Sequence, residues 1–145
     1  MKRVISIDPG KSKCGLIVAD LEEKKVYEAL VIKSCLLLDY LKKECKKDNK
    51  LEIMIGNGTS SKNFLKSLNK LEVDVIIAGE KNSSYKAKQR YFDIFPLKGI
   101  KSFFPREIFI LNKNLDALAA LIILEDYYGI KFDVSKVRGT KTWLK

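Results

Sequence analysis

The sequence contains no histidine. That absence removes Ser-His and Cys-His nucleophile pairs, the usual general base near neutral pH, and the histidine-containing zinc sites. Any catalysis must come from carboxylates, lysines, hydroxyls, thiols or a bound metal. Cysteines are few and scattered: Cys14, Cys35 and Cys45 form no Cys-x-x-Cys pair. An odd, dispersed set reads as reduced, partly buried thiols and not as a disulfide frame or zinc site. Long apolar runs are missing too. The longest candidate, 115–124, is too short for a membrane span, and the N-terminus enters a strand pattern with no signal-peptide layout. The expectation is a soluble, cytoplasmic protein with no membrane partner. Acids are the minority charge: 18 Asp and Glu against 28 Lys and Arg leave a formal net charge of +10. Such an excess favours a polyanionic partner, nucleic acid before an anionic membrane, and says nothing about fold.

The chain of 145 residues fits one domain with one core. Its first strand pattern is Val4-Ile5-Ser6-Ile7-Asp8, with Ile5 and Ile7 on one face and Val4, Ser6 and Asp8 on the other. Pro9-Gly10 turns the chain, and 15–19 returns as a second strand. A third strand over 25–32 places Tyr27, Ala29 and Val31 on one face and Val26, Leu30 and Ile32 on the other. Ser34 is the expected cap of a helix with the stripe Leu37, Leu38, Leu41 and Cys45. A fourth strand over 51–55 breaks at Gly56-Asn57-Gly58-Thr59, and the following helix turns Phe64, Leu65 and Leu68 inward and Lys62, Lys66 and Lys70 outward. The nearly continuous apolar run 73–78 reads as a central parallel strand covered on both faces. A helix capped by Ser83 or Ser84 ends before Pro96, and 97–106 reads as loop. Asn114 is the expected cap of a strongly apolar helix running to about Tyr128. The pattern predicts an α/β fold: a five-stranded mixed sheet, first three strands antiparallel, last two parallel to the first, helices on both faces. The domain is expected over 1–130, with 131–145 as a basic C-terminal tail.

Three acids fall at comparable places in this plan. Asp8 ends the first strand, Glu80 follows the fifth, and Asp116 opens the apolar helix, whose Ala117, Ala119 and Ala120 allow close approach to the sheet. Each has a plain structural reading. Asp8 can bond its own turn, Glu80 can be a solvated acid beside Lys81, and Asp116 can favour the helix N-terminus by about 0.3–1 kcal/mol. Together on one rim they would repel unless a cation neutralised them. Hard oxygen ligands of this kind suit Mg²⁺ or Mn²⁺, and metal-assisted phosphodiester hydrolysis requires no histidine.

In this order, Ile7-Asp8-Pro9-Gly10, Gly56-Asn57-Gly58-Thr59, Gly79-Glu80-Lys81-Asn82-Ser83-Ser84 and Leu115-Asp116-Ala117-Leu118-Ala119-Ala120 resemble the motifs of RuvC-like nucleases in the ribonuclease H-like superfamily. The resemblance is nearest to the YqgF family (Holliday junction resolvase or pre-16S ribosomal RNA nuclease) and to the similar domain of Tex. It covers 3–128 and implies a ribonuclease H-like fold, a divalent metal held by Asp8, Glu80 and Asp116, and structured RNA or branched DNA as substrate. It also implies that the Asn57 loop lies near a phosphate, and it leaves a homodimer open. Two positions depart from junction resolvases. Gly56-Asn57 stands where they carry a glutamate, and Lys113 stands where they carry a second aspartate one turn before the last. Tex-like relatives show that the fold also serves binding without cutting.

Lys11, Lys13, Lys81, Lys86, Lys88 and Arg90 follow the first two acids in sequence and are the candidate phosphate contacts; solvated lysines are the ordinary alternative. Neutralising ~5 phosphates would give a log–log salt slope near −4.5. Tyr85 and Tyr91 read as core or rim aromatics, and Trp143 either stacks on a base or docks on the domain. An Asp-x-Gly after a first strand also opens the actin and sugar-kinase fold, but those proteins need two such domains and this length holds one.

Overall fold

The structure is a computed structural model describing residues 1–58, 60–79, 83–94, 112–137 and 141–143, with side chains described throughout except at 83, 84, 88, 112–114 and 141–143. Strands β1 (Arg3–Asp8), β2 (Lys13–Asp20) and β3 (Lys25–Lys33) form an antiparallel meander. Then follow helix α1 (Leu37–Lys47), strand β4 (Glu52–Gly56), helix α2 (Ser61–Leu68), strand β5 (Asp74–Ala78), and helices α3 (Ser83–Ile94) and α4 (Asn112–Tyr128). β4 lies parallel to β1, and β5 parallel to β4. The five expected strands form in the expected senses. A sixth, β6 (Lys141–Trp143), pairs parallel to β3, so the order is β5-β4-β1-β2-β3-β6.

The strict alternation of β1 separates two cores. Ile5 and Ile7 join Leu16, Val18, Leu30, Ile32, Ile53 and Ile55 beneath α1 and α2. Val4 joins Ile17, Ala19, Val26, Ala29 and Met54 beneath α4, whose residues 117–124 are all buried. Ser6 shares the α4 face and is fully buried, where a polar group needs a partner. Its hydroxyl donates to the Ala120 carbonyl at 2.7 Å, pinning the helix to the central strand.

Four local expectations are corrected. Register shifts between Val18 and Ala19, which pair with Glu28 and Val26, so Tyr27 is the extra residue of a β-bulge. The bulge turns Val26 to the face of Ala29 and away from that of Leu30 and Ile32. β5 is an edge strand with Ile77 56% exposed, not a central one. In α1 the buried stripe is Leu37, Tyr40, Leu41 and Glu44, with Cys45 only partly buried. Glu44 is tolerated inside because Arg3 and Lys47 both bond its carboxylate. Finally, α4 begins at Asn112, so Asn114 lies within the helix and Asp116 is its fifth residue.

Residues of the expected tail also meet the sheet. Asp133 bridges Lys25, with backbone bonds from Val26 N–H to its carbonyl and from its own N–H to the Lys24 carbonyl. Among the described residues, no helix is long and apolar enough to cross a membrane.

Candidate active site

Because β1, β4 and β5 run in one direction, their carboxyl ends share an edge, where β2 begins and β3 ends. Asp8, the last residue of β1, pairs directly with Gly15 of β2. A Cβ on Gly15 would lie 1.7 Å from the Asp116 carbonyl oxygen, so α4 rests on the bare backbone of β2 at this point. The Ser6–Ala120 bond sets the height. Two residues beyond Ser6 along β1 lies Asp8, about 6.7 Å onward. One turn before Ala120 in α4 lies Asp116, about 6 Å back. Both steps lead to the same rim, so the two acids stand at one level on one face. Asp8 is partly buried, and the Asp116 side chain is 30% exposed.

The turn between β1 and β2 is held in place. A Cβ on Gly10 would come within 2.1 Å of the Lys13 carbonyl oxygen, so only glycine fits. Instead of capping α1 with its side chain, Ser34 donates its hydroxyl to the Gly10 carbonyl at 2.7 Å and its N–H to the Ser12 carbonyl at 2.9 Å. Burial pushes the neighbouring Cys14 thiol up, the Gly10 carbonyl and Ser34 hydroxyl work against that, and Asp8 and Asp116 add to the rise. The thiol thus lies within the electrostatic reach of both acids.

Lys13 Nζ stands 2.9 Å from Asp116 Oδ2. That oxygen is buried and accepts no hydrogen bond of adequate geometry from the described residues, so the ammonium is an ionic neighbour, not a directed donor. An oxygen withdrawn from water and, among the described residues, satisfied by a nearby charge without a directed bond suits a bound cation, and a carboxylate donor set suits Mg²⁺ or Mn²⁺. Among the described residues, no group of three or more His, Cys, Asp or Glu side chains could hold a metal. Asp8 and Asp116 supply two acids. Glu80, the third expected ligand, and Lys81 lie outside the described residues.

Of the expected phosphate contacts, Lys11, Lys13 and Asn57 are exposed on this rim. The Asn57 N–H donates to the Ala78 carbonyl, tying the loop after β4 to the end of β5. Lys86 and Arg90 are placed elsewhere. Lys86 pairs with Asp126 at 2.6 Å, and Arg90 makes two contacts to Glu125 and donates to the Phe132 carbonyl. Glu125 and Asp126 lie nine and ten residues along α4 from Asp116, or about 14–15 Å of helix. Lys88 lies on α3, its side chain outside those described, as is Trp143. Tyr91 is buried edge-on to Phe92, while Tyr85 is exposed and its hydroxyl accepts from Gln89. The residues the sequence reading missed are Ser6 and Gly15. A serine on an apolar face and a glycine inside a strand were the available signals.

No protein-family model matches this sequence, and no curated protein matches it significantly. Among solved structures, the chain is similar to Thermus thermophilus RuvC in complex with Holliday junction substrate: 16% identity and a TM-score of 0.54 over 89% of this chain and 95% of that one. It is also similar to Thermus thermophilus RuvC solved separately, with 15% identity and a TM-score of 0.53 over 90% of this chain and 98% of that one. At these identities the likeness concerns architecture: this chain shares the ribonuclease H-like α/β fold of RuvC.

Proposed function

We propose that this chain is a divalent-metal-dependent endonuclease acting on structured nucleic acid, with Asp8, Glu80 and Asp116 as its metal-binding acids. The observation that carries the reading is the meeting of Asp8 and Asp116 on one face of the rim, set by the Asp8–Gly15 pairing and the seating of α4 on Gly15. Mg²⁺ or Mn²⁺ bound there supplies charge neutralisation and an activated water for phosphodiester hydrolysis. The chain's own part is positional. Asp8 is fixed by the central strand, Asp116 by the helix that Ser6 pins, and Glu80 follows β5, whose carboxyl end is about 10 Å from that of β1 at ordinary strand spacing. The exposure of Lys11 and Asn57 on the same rim supports them as phosphate contacts, with Lys81 joining them as the neighbour of Glu80 in sequence.

Branched DNA is the favoured substrate, because the similar RuvC was solved on a Holliday junction and the basic excess suits a polyanion. Precursor ribosomal RNA, as in the YqgF family, is the other candidate, and a cytoplasmic homodimer carrying the site within 1–130 belongs to the same proposal. A second reading, a Tex-like module that binds without cutting, is favoured by Asn57 and Lys113 at positions where junction resolvases carry acids. A panel of labelled four-way junction, duplex, single strand and structured RNA, with Mg²⁺ or Mn²⁺, separates the two. The endonuclease requires cleavage that Asp8→Asn abolishes while binding survives. Tight binding with no metal-dependent cutting of any substrate overturns it and leaves the module.

A further inference from the structure

We propose that Lys13 is the resident counter-ion of this centre: in the metal-free protein its ammonium holds the cation position beside Asp116, and a divalent ion must displace it to bind. The inference rests on the reading of Asp116 as a metal-binding acid. Lys13 Nζ lies 2.9 Å from Asp116 Oδ2, a buried oxygen with no hydrogen-bond partner among the described residues. What the oxygen receives is therefore charge without a directed bond, and a divalent ion provides more of the same. The exchange needs little rearrangement. The Lys13 backbone is fixed, pairing with Lys33 and packing its carbonyl on Gly10, whereas its side chain is 43% exposed. Rotation into solvent vacates the carboxylate and leaves the ammonium on the rim beside Lys11. Two neighbouring carboxylates without a metal repel, so a lysine that pairs with Asp116 and then yields lowers that repulsion until a divalent ion takes over.

The test measures Mn²⁺ affinity by calorimetry at fixed ionic strength for the wild type, Lys13→Met, Lys13→Arg and Asp116→Asn. A half-exposed ion pair of ordinary strength, together with relief of cation–cation repulsion, predicts that Lys13→Met binds Mn²⁺ roughly three- to tenfold more tightly. Lys13→Arg, which keeps the charge, stays near the wild type, and Asp116→Asn removes the binding. A thermal double-mutant cycle without metal is expected to show Lys13 and Asp116 coupled. Asp116-dependent binding that is unchanged or weakened in Lys13→Met refutes the competition and leaves the metal site standing. Additive effects in the metal-free cycle also refute it. Binding indifferent to Asp116→Asn, or absent from all four proteins, removes the metal reading of Asp116 and this inference with it.

Discussion

Gly15→Ala tests the geometry on which the site depends. The added methyl would lie 1.7 Å from the Asp116 carbonyl oxygen, 2.2 Å from its carbonyl carbon and 2.8 Å from the Ala117 nitrogen. All three are backbone atoms of α4, so no rotamer change relieves the clash. Either the helix moves out by about 2 Å to reach ordinary contact distance, or β2 recedes within the meander. Overpacking of a tight core costs about 1–3 kcal/mol. Moving α4 also stretches the buried Ser6–Ala120 hydrogen bond, whose net worth is about 1 kcal/mol. The combined loss of about 2–4 kcal/mol would lower the urea midpoint at unchanged m and the thermal midpoint by roughly 7–13 °C. Asp116 would move with its backbone, so the Mn²⁺ affinity of the folded variant should fall as well. A Gly15→Ala protein with wild-type midpoints would mean that α4 does not rest on β2 at this point, and the site as described would collapse.

Arg90→Met leaves Glu125, 7% exposed, with the Phe132 N–H as its one remaining partner among the described residues, so destabilisation by about 3 kcal/mol is expected in urea, and a change under 0.5 kcal/mol would contradict the clamp. Glu44 is pushed up by burial, but Lys47 and Arg3 outweigh this and hold its carboxyl below the ordinary 4.5. Its stabilisation is therefore complete above that value and is lost as pH falls through the lower folded value. The gap between wild type and Glu44→Gln should narrow from pH 7 to pH 3 in urea titrations, and a constant gap would refute the assignment. Cys35 is exposed and Cys14 buried with its thiol pushed up, so a disulfide reagent at neutral pH should label Cys35 rapidly and Cys14 only on unfolding. Lys11→Gln should reduce the salt slope of nucleic-acid binding by about 0.9, whereas equal slopes in the two proteins would remove Lys11 from the interface.

The fold was legible because its main signals are local and agree with one another. The alternation of Val4 to Asp8 assigns Val4, Ile5 and Ile7 to the cores in which they are found, and the break at Pro9-Gly10 sets up the meander. The errors arise where a residue's position depends on a distant partner. Tyr27 is as good a strand residue as its neighbours, and only its pairing with β2 makes it a bulge. The nearly continuous apolar run 73–78 carries the composition of a covered strand, yet composition cannot say whether a second strand pairs beyond it. Glu44 looks like a surface acid until Arg3, 41 residues away, reaches it.

Charge was the least transferable signal. A net +10 describes the chain, but individual cations are committed to particular acids. Arg3 is held by Glu44, Lys86 by Asp126 and Arg90 by Glu125, so proximity in sequence to Glu80 did not bring Lys86 and Arg90 to the rim. The positions that turned out to matter there are the least charged ones. Gly15 has no side chain and Ser6 only a hydroxyl, yet without the first α4 could not approach, and without the second it could slide. A carboxylate pair at a sheet edge is therefore better sought from the small residues that let a helix touch a strand than from the acids themselves. Acids occur on many exposed turns, whereas a glycine whose Cβ would enter another element's backbone fixes where two chain segments meet.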